Sequence, residues 1–300
     1  MTAVAITPRS FRQTAGEHHD LLAKSPVDVR FPDHDRPLHE AELIELVRGC
    51  AGLIVGVDPV TERVLEAGPL RVVVKYGSGT DNIDLAAGAR LGVKISSTPG
   101  ANARSVAELT IALLFALARH VVAHDRAVRA GSWSRLGAIE LAGKRLGVVG
   151  YGAVGREVAR LAACLGIEVV AHDPFVESDE VELVGLDDLL ASCDAVSLHV
   201  PLDDSTRGMI GAKALERMRS GALLVNTARG GLVDEEALAD ALSSGRLGGA
   251  ALDAFAVEPP TGSPLLGLEN VVLSPHAGAA TVEAAQRTAL QAVRQLLRDL

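Results

Sequence analysis

Arg229, Glu258 and His276 are the side chains best suited to chemistry, and each follows an apolar, strand-like run. Arg229 comes after "ALLVNTA" (222–228), Glu258 after "GGAALDAF" (248–255) and His276 after "NVVLSP" (270–275). An arginine fork can hold a carboxylate and polarise a carbonyl. An imidazole titrates near neutrality, so it can take a hydroxyl proton and return it. A carboxylate beside that imidazole orients the ring and favours its charged form. Taken singly, each residue also has a plainer use: a solvated arginine, a loop acid, a structural histidine. A metal centre is the remaining alternative, but no second histidine or cysteine lies at ligand spacing around His276, so no metal is expected.

A second constellation lies upstream. "GVVGYGAVG" (147–155) matches G-x-G-x-x-G at Gly150, Gly152 and Gly155, between the apolar run "RLGVVG" (145–150) and a helix expected over 153–166. The first glycine permits a tight turn and the second lets the backbone approach a pyrophosphate. The third lets helix and strand pack closely, with the anion on the helix N-terminus. Asp173 closes the next strand, "EVVAHD" (168–173), where such a fingerprint places its ribose-binding acid. Its charge would repel a 2′-phosphate and "DPFVES" supplies no arginine, so NAD is expected over NADP. A strand–turn–helix that needs its glycines only for packing is the plainer reading.

The elements that must position these groups alternate in an α/β pattern. Strands are expected at 3–6, 27–31, 52–56, 71–75 and 92–95, with helices over 40–50 and 61–68 between them. From 145 the alternation becomes regular. Strands at 145–150, 168–173, 194–200, 222–228, 248–255 and 270–275 suggest a doubly wound parallel sheet. In such a sheet ligands sit beyond the carboxyl ends of the strands, so His199, Arg229, Asp253 and His276 should share one rim. Asp234 can cap a helix over 234–245 that Gly245 ends, and 281–300 reads as one amphipathic helix. Residues 103–119 form a helix that is apolar almost all round. It belongs at a domain or subunit interface, or inside one domain.

Composition narrows the classes. Three hundred residues suffice for two domains, and 48% hydrophobic with 22% charged residues describes a globular chain. Aromatics make up 3%, so the core must be mostly aliphatic. A formal charge of −9 argues against nucleic acid and anionic membrane surfaces as partners. The longest apolar run, "LTIALLFALA" (109–118), is too short to span a bilayer. The N-terminus lacks a secretory pattern. Cys50, Cys164 and Cys193 are scattered, suit a reducing compartment and read as core fillers, so a cytoplasmic protein is expected.

The chain resembles the D-isomer-specific 2-hydroxyacid dehydrogenases through "GSGTDNID" (77–84), "TPGANARSVAE" (98–108), "GVVGYGAVG", "SLHVPL" (197–202), "NTARGGLVDEEAL" (226–238), "DAFAVEPP" (253–260) and "LSPHAGAAT" (273–281). The resemblance implies Arg229 as the substrate-orienting cation, Glu258 as the partner carboxylate and His276 as the acid–base. It implies that the backbone of Tyr76, Gly77, Ser78 and Gly79 holds the substrate carboxylate, with Asn102 nearby. Ala153, Val154, His199, Thr206, Thr227, Ala228 and Asp253 would join the glycines and Asp173 around NAD, Asp253 lying near the nicotinamide. The implied architecture is two Rossmann-like doubly wound parallel-sheet domains with a cleft between them: residues 1–100 plus 281–300 for substrate, residues 101–280 for NAD. A homodimer through the NAD domain is also implied, with Trp133 in the segment that reaches across it; a core tryptophan is the alternative.

Within that family the chain most resembles phosphoglycerate dehydrogenases, which makes D-3-phosphoglycerate the first expected substrate. Glyoxylate, hydroxypyruvate or another short 2-keto acid is the alternative. Two departures bear on this. Asp58, in "GVDPVT" (56–61), replaces an arginine stretch that helps hold the phosphate, and Lys75 replaces a second arginine. Arg104 or Lys75 could still contact a phosphate. Relatives that sense NAD(H) and recruit partners carry the same fold, so a corepressor-like binding protein is the competing class.

Overall fold

In the computed structural model, which describes residues 1–300, the apolar runs become parallel strands in two sheets. One unit, Met1–Asn102 with Ala279–Leu300, holds β1 (Thr2–Ile6), β2 (Val27–Arg30), β3 (Gly52–Val55), β4 (Val72–Lys75) and β5 (Lys94–Ser97) in the order β2-β1-β3-β4-β5. The other, Ala103–Gly278, holds β6 (Arg145–Val149), β7 (Glu168–His172), β8 (Glu182–Leu183), β9 (Ala195–Leu198), β10 (Leu223–Asn226), β11 (Gly249–Leu252) and β12 (Val271–Leu273). Its order is β12-β11-β10-β9-β6-β7-β8, so the chain leaves β6 in one direction and returns beside it through β9. Both sheets are doubly wound in the Rossmann manner.

Side-chain alternation decides what each sheet face buries. Leu146 and Val148 of β6 pack with helix Ala103–Ala118 and helix Ala153–Cys164, whereas Val149 joins Leu189, Val196 and Leu198 on the opposite face. In the first unit, Val4, Ile6, Ile54, Val72 and Val74 are covered by Ala289, Ala292, Val293 and Leu296 of the C-terminal helix Val282–Asp299. That helix therefore returns to complete the core of the unit that holds the first hundred residues.

Several expectations shift for local reasons. The strand expected at 92–95 begins at Lys94, because Gly92 at φ +69° caps helix Leu85–Leu91. The two-residue edge strand β8 carries too little pattern to read. Helices Arg9–Gln13 and Glu17–Ala23 are likewise too short for a periodic signal. Asp234 caps helix Glu235–Ser243 as expected, accepting from the amides of Glu236 and Ala237. Helix Ala103–Ala118 buries most of its faces within its own unit. Trp133 is no core residue: it is 80% exposed. Cys50 and Cys193 are buried fillers, but Cys164, at the solvent-facing end of its helix, is exposed. No single helix is long and apolar enough to cross a membrane.

Candidate active site

Strand register sets the rim. Val149 of β6 pairs with Leu198 of β9, Leu198 with Asn226 of β10, Asn226 with Leu252 of β11, and Leu252 with Leu273 of β12. The residues just beyond this row are Gly150, His199, Thr227 and Asp253, with Arg229 and His276 a few residues further on. Sequence positions spread over more than a hundred residues thus meet along one edge.

After β10 the chain turns at once. The wholly buried Asn226 templates that turn: its Nδ2 donates to the Arg229 carbonyl at 2.9 Å and its Oδ1 accepts from the Ala228 amide at 3.1 Å. One Arg229 guanidinium nitrogen donates to the Ala228 carbonyl at 2.8 Å. The next residue must be glycine, since a Cβ at Gly230 would lie 1.8 Å from the Phe255 carbonyl carbon. The arginine turn therefore rests directly on the backbone that leads to Glu258.

Glu258 and His276 form a pair. The Nδ1 of His276 lies 2.9 Å from Oε2 and 3.0 Å from Oε1 of Glu258. The partner carboxylate assigns a proton to Nδ1. Glu258 also accepts from the Phe255 amide at 3.1 Å, which fixes the carboxylate from within its own loop. His276 adopts a left-handed backbone at φ +53°, uncommon for a side chain with a Cβ. The following two amides explain how it is held: Ala277 and Gly278 each donate at 2.8 Å to the buried carboxylate of Asp253. Asp253, expected beside the nicotinamide, is thus an anchor for the histidine loop. Ser105 completes that anchor by donating to the Gly278 carbonyl at 2.6 Å.

The glycine loop fits a dinucleotide. Gly150 sits at φ +93°, with its would-be Cβ 2.7 Å from the His199 backbone, and a Cβ at Gly155 would meet the Gly150 carbonyl oxygen at 2.0 Å. At Gly152 a Cβ would meet nothing within 4 Å, and no side chain caps the helix that starts at Ala153. The first-turn amides of that helix, from Ala153 and Val154 on, therefore face open space that only a side chain would close, as a pyrophosphate requires. The Asp173 carboxylate takes the Tyr151 amide at 2.9 Å and the Phe175 amide at 3.0 Å, leaving lone pairs for ribose hydroxyls. Burial pushes His199 down to about 3, so its ring is neutral, with Nε2 2.8 Å from Ser197 Oγ. The hydroxyl of Thr227 pairs with Thr110 at 2.8 Å and that of Thr206 donates to the Pro201 carbonyl at 2.7 Å. Ala228 presents backbone, its amide already bound to Asn226.

The expected substrate residues lie in the first unit. Gly77, at φ +132°, donates its amide to Thr98 Oγ1 at 2.8 Å. The Tyr76 hydroxyl donates to the Ala285 carbonyl at 3.0 Å, and burial pushes the phenol up. Ser78 follows as an exposed residue, and Gly79 and Asn102 are partly exposed. Lys75 and Asp58 are both buried and engaged. The Lys75 ammonium donates to the Gly56 carbonyl and to Asn82 Oδ1, each at 2.6 Å. The Asp58 carboxylate accepts from the Leu38 amide at 2.6 Å and from the Thr7 hydroxyl. Arg104 pairs with Glu108 at 2.9 Å on its own helix.

Three positions escaped the sequence reading. Asn226 carried the signal of an asparagine before a turn. Gly230 stood in a doublet of glycines whose roles only packing separates. Glu235 lies in the first turn of a helix, where an acid complements the helix dipole, yet its carboxylate accepts from the Ala256 amide at 2.9 Å and from the Ser263 hydroxyl, on either side of Glu258.

A dinucleotide cradle beside an imidazole–carboxylate pair and an arginine is the apparatus of hydride transfer to or from a carbon bearing oxygen. Comparison with known proteins agrees. Residues 111–278 match the family model described as D-isomer specific 2-hydroxyacid dehydrogenase, NAD binding domain. The chain is 41% identical over 272 residues to a hydroxypyruvate reductase of Thermotoga maritima, covering 88% of this chain and 89% of that protein. It is 42% identical over 269 residues to a D-3-phosphoglycerate dehydrogenase of Mycobacterium bovis, covering 87% of this chain but only 51% of that protein. A crystal structure of the TT0316 protein from Thermus thermophilus superposes with a TM-score of 0.90 at 37% identity, covering 99% of this chain and 96% of that one. The chain belongs to the D-isomer specific 2-hydroxyacid dehydrogenase family. It is an NAD-dependent oxidoreductase that acts on the CH–OH group of a small 2-hydroxy acid, or on the matching 2-keto acid in reverse.

Proposed function

We propose that this chain reduces a short, unphosphorylated 2-keto acid such as hydroxypyruvate or glyoxylate, with His276 as the acid–base and Arg229 as the orienting cation. The observation that carries the catalytic reading is the 2.9 Å approach of His276 Nδ1 to Glu258. NAD(H), when bound, supplies or receives the hydride. The protein's own part is proton transfer and orientation. In the reducing direction His276 gives its Nε2 proton to the carbonyl oxygen, while Glu258 holds Nδ1–H and steadies the imidazolium. Arg229 binds the substrate carboxylate and polarises the carbonyl through its fork. Tyr76–Gly79 and Asn102 supply further donors to the substrate, and Gly150, Gly152, Gly155 and Asp173 hold the cofactor, Asp173 favouring NAD.

The preference for an unphosphorylated acid rests on Asp58 and Lys75. Both are buried and already bonded, so neither offers a cation to a phosphate. A second reading, phosphohydroxypyruvate and D-3-phosphoglycerate, is favoured by the 42% identity to the Mycobacterium bovis protein. Loss of NADH absorbance against a panel of 2-keto acids separates them. Turnover of hydroxypyruvate or glyoxylate well above phosphohydroxypyruvate supports the first reading, and the reverse order supports the second. The variant His276→Ala should lose turnover yet bind NADH. Near-normal rates in that variant would refute the proton-transfer role, and NADH binding without turnover in the unaltered chain would favour a sensor.

A homodimer is the proposed assembly. Helix Val121–Arg129 buries none of its residues, and Gly131–Glu140 is exposed throughout with Trp133, Leu136 and Ile139 among its side chains. A second copy covering this apolar arm would bury it. Sedimentation of Trp133→Asp should show more monomer than the unaltered chain; identical sedimentation as a dimer would move the interface elsewhere. A cytoplasmic setting accords with the three unpaired cysteines.

A further inference from the structure

We infer that Asn226 and Glu235 are positioning residues, and that residues 226–235 act as one frame locating both Arg229 and Glu258. The segment touches each catalytic group's support. At its start, Asn226 binds the Ala228 amide and the Arg229 carbonyl, which fixes the backbone from which the guanidinium projects. At its end, Glu235 binds the Ala256 amide and the Ser263 hydroxyl, two residues before and five residues after Glu258. In between, Gly230 lies against Phe255 and Ala256 so closely that no side chain fits. Phe255 in turn donates its amide to Glu258.

Physical chemistry makes this more than packing. A loop with exposed residues from Ala256 to Pro259 has little apolar burial to hold it. Its geometry must come from hydrogen bonds, and a carboxylate accepting from a backbone amide and a hydroxyl is a strong clamp. Proton transfer is sensitive to displacement of the acid–base pair by about 1 Å, so a clamp two residues from Glu258 acts on rate as well as on folding. Asn226 acts on a different quantity. It sets where the guanidinium begins, hence how the substrate is held, and does not touch the imidazole.

The two residues therefore separate kinetically, an inference that rests on the roles proposed above for Arg229, Glu258 and His276. Asn226→Ala should raise KM for the keto acid by about 10-fold, with a smaller change in kcat. Glu235→Ala should leave KM within about two-fold, lower kcat by about 10-fold and displace the pH–rate profile. Glu235→Gln should recover most of the rate and the original profile, because its amide oxygen can accept from Ala256 and its NH2 can donate to Ser263 Oγ. NADH affinity should be unchanged in all three. Asn226→Ser, which keeps one hydroxyl in place of the amide, should show a milder rise in KM and serves if Asn226→Ala does not fold. Folded variants with unaltered kcat, KM and pH profile would overturn the inference, as would Glu235→Gln being as impaired as Glu235→Ala. If the unaltered chain reduces no 2-keto acid, the catalytic reading itself fails. Turnover in the unaltered chain with indifferent variants refutes only the frame.

Discussion

Adjacent glycines after Arg229 should respond oppositely to alanine. A Cβ at Gly230 would fall 1.8 Å from Phe255 C, 2.2 Å from Ala256 N and 2.3 Å from Phe255 O. Ordinary carbon contacts sit near ~3.5 Å, so the two backbones must part by about 1.7 Å or the turn must deform. Backbone atoms cannot rotate away as a side-chain tip can. Overpacking of this kind costs about 1–3 kcal/mol of stability. The loop that moves carries Glu258, whose bond to His276 is 2.9 Å long. Displacement by about 1 Å should lower kcat/KM on the order of 100-fold, roughly 2.7 kcal/mol of transition-state stabilisation. At Gly231 the new Cβ would crowd the end of the Leu202 side chain, at 2.9 Å, which can turn aside, and would touch the tip of Arg207 at an ordinary 3.6 Å. Gly231→Ala should stay within about three-fold of the unaltered enzyme. The assay is steady-state NADH consumption with hydroxypyruvate, alongside thermal denaturation of both variants. If Gly230→Ala keeps its rate and its melting temperature, the close approach of the two segments does not position the site.

Three further outcomes are expected. Gly152→Ala adds a Cβ where nothing lies within 4 Å, so folding should be undisturbed while NADH binding weakens by about 10-fold or more; calorimetric titration beside a melting curve checks both. Asp173→Ala should erode the preference for NAD over NADP, and an unchanged ratio of kcat/KM values for the two cofactors would refute its role at the ribose. His18 is wholly buried, with Nε2 donating to the Phe11 carbonyl at 3.1 Å and the tilted His19 ring 4.1 Å away between centroids, and burial holds it below 6.5. The unfolded ring binds a proton more readily than the folded one. Stability is therefore fully present above about pH 6.5 and is lost as pH falls toward the depressed folded value. Denaturant melts of His18→Gln across that window should show a flatter pH dependence, and a slope equal to that of the unaltered chain would assign acid sensitivity to other groups.

Much of this was legible in the sequence because the signals are local. The strand–glycine–helix run around Gly150 states its own geometry, and alternating apolar runs announce parallel strands covered on both faces. The rim followed from a general rule about carboxyl ends of strands, so Arg229, Glu258 and His276 could be chosen without knowing a single distance. What stayed hidden were commitments made across the fold. Asp253 ends its strand in the position of a ligand, and each of its oxygens also accepts an amide from the histidine loop, Ala277 and Gly278, twenty-four and twenty-five residues away. Glu235 looks like a helix-dipole residue until the loop beyond β11 folds back onto it.

The same distinction governs the substrate. Asp58 and Lys75 read from sequence as an anion and a weak cation in a place that could meet a phosphate. Folded, Asp58 ties the Leu38 amide and the Thr7 hydroxyl together, and Lys75 ties Gly56 to Asn82. A buried charge with its partners in place is stable, but releasing it to a ligand would leave those partners unsatisfied. Phosphate recognition at this point would therefore have to break the network before any gain from the ligand could be made. A short acid without a phosphate asks for no such rearrangement, which is the physical argument behind the proposal of an unphosphorylated substrate.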